Sequence, residues 1–162
     1  MFCRLMLVAA IFGEKRRSFE MGLDTTHDAF HGAYSAFDRW RGEILKAAGG
    51  RGGYGRCRKE PAQEGDREGW WYYGPGYSGE THPGLHILLC HSDCDGEISP
   101  EDCAKVADDL EALLPALEES LLTAGDWESG HIVRYGGVMT VTKRFISGCR
   151  KAAKAGEALE FK

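Results

Sequence analysis

The chain has no pair of cysteines at CxxC spacing, no apolar run long enough to cross a bilayer, and no excess of positive charge. Each absence removes a class of function. Six cysteines, at positions 3, 57, 90, 94, 103 and 149, fit neither a zinc finger nor a disulfide framework, which points to buried or free thiols in a reducing cytoplasm. The N-terminal apolar run, residues 5–12, is too short for a membrane span, and Lys15, Arg16 and Arg17 follow it instead of preceding it as in a secretory signal. A net charge of -5 argues against sequence-independent nucleic-acid binding, which draws on a basic surface, and suits cation binding. Neither a phosphate-cradling glycine motif nor a nucleophile constellation is present.

What remains is a chain of 162 residues, 43% hydrophobic and 28% charged, the composition of one globular domain. Residues 1–20 are expected to be an upstream extension outside the working protein. Arg16 and Arg17 can be encoded by a ribosome-binding sequence, and MGLDTTHD reads as a start at Met21.

The most informative stretch is residues 85–115. Leu85, Ile87, Leu88 and Leu89 form a short apolar run that predicts a buried strand over 85–90. Ser99, Pro100 and Asp102 form a helix-start signal: a hydroxyl N-cap, proline at the first helical position, and a carboxylate in capping-box position. Cys103, Val106, Leu110, Leu113 and Leu117 then lay one apolar stripe along a helix, which Pro115 is expected to end or kink near Leu114.

Between the two lies HSDCDGEISPED, residues 91–102, which resembles an EF-hand calcium loop. Asp93 and Asp95 fall on its third and fifth positions, Gly96 on the sixth, Ile98 on the eighth and Ser99 on the ninth. His91 stands where an aspartate would, and Asp102 where the bidentate glutamate would. The resemblance implies a divalent cation held by His91, Asp93, Asp95, Glu97 and Asp102: calcium, or zinc or manganese if His91 is a ligand. The same carboxylates also suit an Asx-turn ahead of a helix N-terminus.

Upstream, Asp24, Thr25 and Thr26 predict a helix cap, and Phe30, Ala33, Phe37, Arg41 and Ile44 trace a helical stripe that Gly49 and Gly50 end. On such a helix His27 and His31, four apart, project from one side near Tyr34, a geometry two imidazoles use on one metal. His27, His31 and His91 are the candidate catalytic residues should the protein be an enzyme. HDAFH resembles the HExxH helix of zinc proteases, but Asp28 is a methylene shorter than the glutamate base. Residues 48–69, glycine-rich and charged, read as a mobile loop. The aromatics after it suggest a strand near 70–73. A small anionic or nucleotide-like ligand would meet Asp24 and Tyr34 beside the histidines, and Trp71 and Tyr73 from that strand. A last helix is predicted over 138–155, with Val138, Val141, Phe145, Cys149 and Ala152 buried and Gly156 as C-cap; a short tail, 158–161, either docks or frays.

Together these elements predict an α+β domain over 21–162, with about three helices, a small β-sheet and a strand–loop–helix cation site. GLDTTHDAFHGAYSAFDRWR, HSDCDGEISPEDC, GHI at 130–132 and RFISGCRKAAKAGEALEF resemble a family of small proteins carried by actinobacterial phages and prophages. The resemblance implies a cytoplasmic accessory protein that binds a host protein or a small ligand. A metal-dependent hydrolase of the phosphoesterase class is the alternative.

Overall fold

The computed structural model describes residues 22–52, 72–73, 77–92, 95–123 and 131–162. Its elements make an α+β domain. The β-strands β1 (Gly22–Asp24) and β2 (His31–Ala33) form a hairpin around a 3-10 turn at Thr26–Asp28, and helix α1 (Tyr34–Ala47) follows directly. Strands β3 (Arg51–Gly52) and β4 (Tyr72–Tyr73) pair with each other. Helix α2 (Pro83–Cys90) leads into β5 (Glu97–Ile98), then α3 (Pro100–Thr123), a 3-10 turn at His131–Tyr135, α4 (Gly137–Ala155) and β6 (Leu159–Glu160). Among the described residues all strands pair antiparallel, in three two-stranded ribbons.

Helices α3 and α4 follow their sequence patterns closely. Every residue of the α3 stripe, Cys103, Val106, Leu110, Leu113 and Leu117, is buried, as are Val138, Val141, Phe145, Cys149 and Ala152 on α4. Ser99 Oγ accepts the Asp102 amide at 3.1 Å, the capping contact its position predicts. Gly156 takes φ +69° and closes α4. The two helices pack together, α2 packs on α3, and the aromatics of the hairpin and α1 fill the space beneath: Phe30, Phe37, Trp40 and Phe145 lie in mutual ring contact.

Four expectations are corrected. Residues 85–90 form helix α2, not a strand. An apolar run this short carries no usable period, and the decisive partner is distant in sequence. Asp109 on α3 accepts the Gly84 and Leu85 amides at 2.6 and 3.1 Å, capping α2 from outside. Gly84 permits this approach, since a Cβ there would stand 2.1 Å from the Lys105 carbonyl oxygen. Secondly, residues 24–33 are a hairpin, and the helix starts only at Tyr34, so His27 and His31 do not share a helix face. Leu23 is buried between two exposed neighbours and Gly32 between exposed His31 and half-buried Ala33, the alternation of a strand pair over a core. Thirdly, of the two outcomes expected at Pro115 the end of the helix does not occur: α3 runs on through it to Thr123, and the exposed position of the proline lets water satisfy the carbonyl that loses its amide donor. Finally, Arg51–Gly52, assigned to the loop, is a strand paired with Tyr72–Tyr73. Residues 1–21 and 53–71, which hold the upstream extension and most of the expected loop, lie outside the described residues.

Candidate functional site

The tail organises the region where the predicted ligands fall. Leu159 and Glu160 pair with Ile98 and Glu97, and Phe161 donates its amide to the Gly96 carbonyl at 2.9 Å. On its other side the tail meets the hairpin: Asp24 and Lys162 exchange both backbone hydrogen bonds, at 3.0 and 2.8 Å. Thr26 Oγ1 accepts the Glu160 amide at 2.9 Å and donates to the Ala158 carbonyl. Buried Leu159 and Phe161 anchor the segment in the core. Residues 159–162 thus stand between the acidic turn and the hairpin, and set the two candidate ligand groups side by side.

In the turn, His91 follows α2 directly. Its Nδ1 lies 2.6 Å from the Ser92 carbonyl oxygen. A carbonyl only accepts, so Nδ1 carries a proton, and in the neutral form of the ring the lone pair is on Nε2. The imidazole stacks on Phe161, ring centroids 4.1 Å apart, and Nε2 faces Gly96, where a Cβ would stand 3.3 Å away. Gly96 also adopts φ +99°, a conformation open to glycine at little cost, so the bend and the space before His91 both depend on it. Beneath the turn Arg41, 1% exposed, donates from Nη1 to the His91 carbonyl at 2.8 Å and lies over the Phe37 ring.

The carboxylates divide. Asp95 is exposed, and its Oδ1 accepts the Ser92 hydroxyl at 2.6 Å. Glu97 is exposed and stands opposite Glu160 in the β5–β6 register; Lys162 pairs with Glu160 at 2.7 Å and holds that carboxyl below the usual range. Asp102 is engaged at the start of α3, where its hydrogen bond from Lys105 at 2.7 Å lowers its pKa, helped by Ser99. Asp93 lies outside the described residues.

On the hairpin, Asp24 and His31 face each other across the strand pair and hydrogen-bond through Oδ1 and Nδ1. His27 lies 3.4 Å from Glu157, beside α4. His27 and Asp28 both take positive φ, 58° and 55°, which bends the hairpin away from any helical path. Tyr34, at the start of α1, packs half-buried against the core. The backbone of Tyr73 belongs to β4, and Trp71 is outside the described residues. No group of three His, Cys, Asp or Glu side chains fit to hold a metal ion occurs among the described residues.

Neither known families, curated proteins nor solved structures match this chain. The reading of the site therefore stands on its own chemistry. Arg41 and the tail were the parts least expected there. Arg41 carried a signal in the sequence, a lone cation on an otherwise apolar helical stripe, which marks a guanidinium needed inside. The tail carried only the alternation of Leu159 and Phe161 about Glu160. No described helix is long and apolar enough to cross a membrane.

Proposed function

We propose that the protein is a metal-binding accessory protein of phage type, acting in the host cytoplasm, whose divalent cation orders the 91–102 turn so that the surface beside the hairpin can engage a host protein or a small nucleotide-like anion. The observation that carries this reading is the His91 ring. Its Nδ1 donates to the Ser92 carbonyl and its ring stands against the bend at Gly96, the backbone-fixed arrangement typical of imidazoles that serve as metal ligands. Asp95 and Glu97 flank that bend, and the cation would complete its coordination with Asp93. The accessory role follows from the phage-family resemblance.

The hydrolase alternative needs His27 or His31 to join the turn. Their pairing with Glu157 and Asp24 favours the binding reading.

Elemental mass spectrometry after dialysis without chelator, coupled to thermal melts, tests the proposal. One equivalent of zinc or manganese supports His91 as a ligand, and calcium alone supports an oxygen-only EF-hand-like turn. At a cation concentration of 100 Kd the melt should gain about 2.7 kcal/mol, and Asp95→Ala should abolish that gain. Absence of both a bound metal and a cation-dependent melt overturns the reading.

A further inference from the structure

The net charge of -5 conceals a polarised molecule. Helix α3 carries seven carboxylates and one cation, whereas α4 carries five cations and no carboxylate. The two helices pack together, and Arg150 shows that their outer surfaces adjoin. It reaches Asp108 and Glu111 of α3 at 2.6 and 2.7 Å, and the three side chains are 40%, 66% and 48% exposed.

On α3 the exposed residues Asp108, Glu111, Pro115, Glu118 and Leu122 recur at steps of three and four and form one outward stripe. On α4 Thr140, Lys143, Ser147, Lys151 and Lys154 form another. Neither these lysines nor Glu118 has an ion-pair partner among the described residues. Leu122, 81% exposed and the most exposed large apolar side chain among those residues, ends the acidic stripe.

We propose that this two-helix face is a self-complementary docking surface for a second copy of the chain, related by a two-fold axis along the seam between α3 and α4. Rotation about that axis exchanges the two sides of the face, so α3 of each copy lies on α4 of the other and acidic meets basic twice. An axis across the helices would set carboxylates on carboxylates. The breadth of the basic stripe excludes a nucleic-acid duplex or an anionic membrane as the occupant. A helix is about 10 Å across, and a wider polyanion would press its phosphates on the α3 carboxylates as well. An acidic helix of the same breadth fits, and α3 is one. The net like charge of the two copies is screened beyond about 8 Å at physiological salt, whereas the contacting charges lie inside that distance. The face is about 20 Å wide and, along the 19 residues of α4, about 28 Å long. That area lies at the small end of specific interfaces, so the dimer is weak and reversible. The inference is independent of any metal at the turn.

The experiment is sedimentation equilibrium of the full chain at physiological salt, with zero-length carbodiimide crosslinking of an equal mixture of nitrogen-15-labelled and unlabelled chains. A closed monomer–dimer equilibrium with a Kd on the order of tens of micromolar is expected, and crosslinks between differently labelled chains should join α4 lysines to α3 carboxylates. Lys143→Glu with Lys151→Glu, and Glu118→Lys with Glu119→Lys, should each weaken the dimer at least about tenfold. An equal mixture of the two variants should recover it, because acidic again meets basic at both contacts. A monomer at every concentration up to about ten times that Kd, an open series of larger oligomers, variants that dimerise like the unaltered chain, or a variant mixture that stays monomeric overturns the proposal. Should a variant fail to fold, the unaltered chain decides: mixed-label crosslinks between α3 and α4 uphold the proposal, and a dimer crosslinked only elsewhere overturns it.

Discussion

Replacing Phe161 by alanine isolates what the tail does. The ring is 5% exposed, stacks on His91 at 4.1 Å and meets Phe37 edge-on at 5.8 Å. Truncating a buried phenylalanine costs about 3–5 kcal/mol, and a position at the rim of the core, where neighbours can relax, belongs at the lower end, about 3 kcal/mol. Besides the β5–β6 pairing, four backbone-donated hydrogen bonds tie the tail to the turn and hairpin, from Asp24, Glu160, Phe161 and Lys162, and contribute about 0.5–1.5 kcal/mol each. Their sum is comparable with the loss, so Phe161→Ala should leave a folded protein whose tail is frequently detached. Phe161→Leu keeps an apolar side chain in the site and should cost less than about 1.5 kcal/mol. Urea denaturation measures both changes. Amide hydrogen exchange adds the local readout: in Phe161→Ala the Asp24 amide, which donates to the Lys162 carbonyl, should lose protection while amides in the middle of α3 and α4 keep theirs. A destabilisation below about 1 kcal/mol, or an Asp24 amide as protected as before, would refute the role given to the tail.

Two further predictions concern the scaffold. Trp40 Nε1 donates to Thr142 Oγ1 at 2.8 Å in the core, and the hydroxyl in turn donates to the Val138 carbonyl; Thr142→Val should therefore cost about 1–3 kcal/mol by leaving the indole N–H unsatisfied, and most of that loss should disappear when Trp40→Phe is added, as a double-mutant cycle by urea denaturation will show. Because Lys105 holds the Asp102 carboxyl below its ordinary range, the stability this contact contributes is present above the unfolded-state pKa and lost as the pH falls through the lower folded-state value; Asp102→Asn should cost a few tenths of a kcal/mol at pH 7, given the exposure of the pair, and the difference from the unaltered protein should vanish near about pH 2.

The elements legible in the sequence were those whose instructions are local. Ser99 and Pro100 start α3 and Gly156 stops α4, and each helix carries an apolar stripe along one side that needs nothing from elsewhere to be recognised. The misread elements take their instructions from distant partners. The α2 run is apolar nearly all round, and its cap, Asp109, comes 25 residues after Gly84. The hairpin's polar residues, Asp24 to Asp28, suit a helix cap just as well as a tight turn. What decides for the turn is Thr25 Oγ1 accepting the Phe30 amide at 2.7 Å, and Thr26 engaging a tail more than a hundred residues away. The candidate site follows the same division. The acidic turn was visible as a motif, whereas its neighbours, Arg41 beneath it and Phe161 against His91, are brought there by tertiary packing alone.

The reciprocal hydrogen bonds between Asp24 and Lys162 close the described fold into a ring, with β1 and the tail as its clasp. Bringing together two points so far apart along a chain costs about 4 kcal/mol in loop-closure entropy, an expense of the same order as the clasp's own hydrogen bonds. A short flexible linker from residue 162 to residue 22, long enough to leave the β1–β2 pairing in place, would remove that entropy from the unfolded state and leave the folded one almost untouched. The ring could then be opened at another surface loop, with the acidic turn and the hairpin still held side by side.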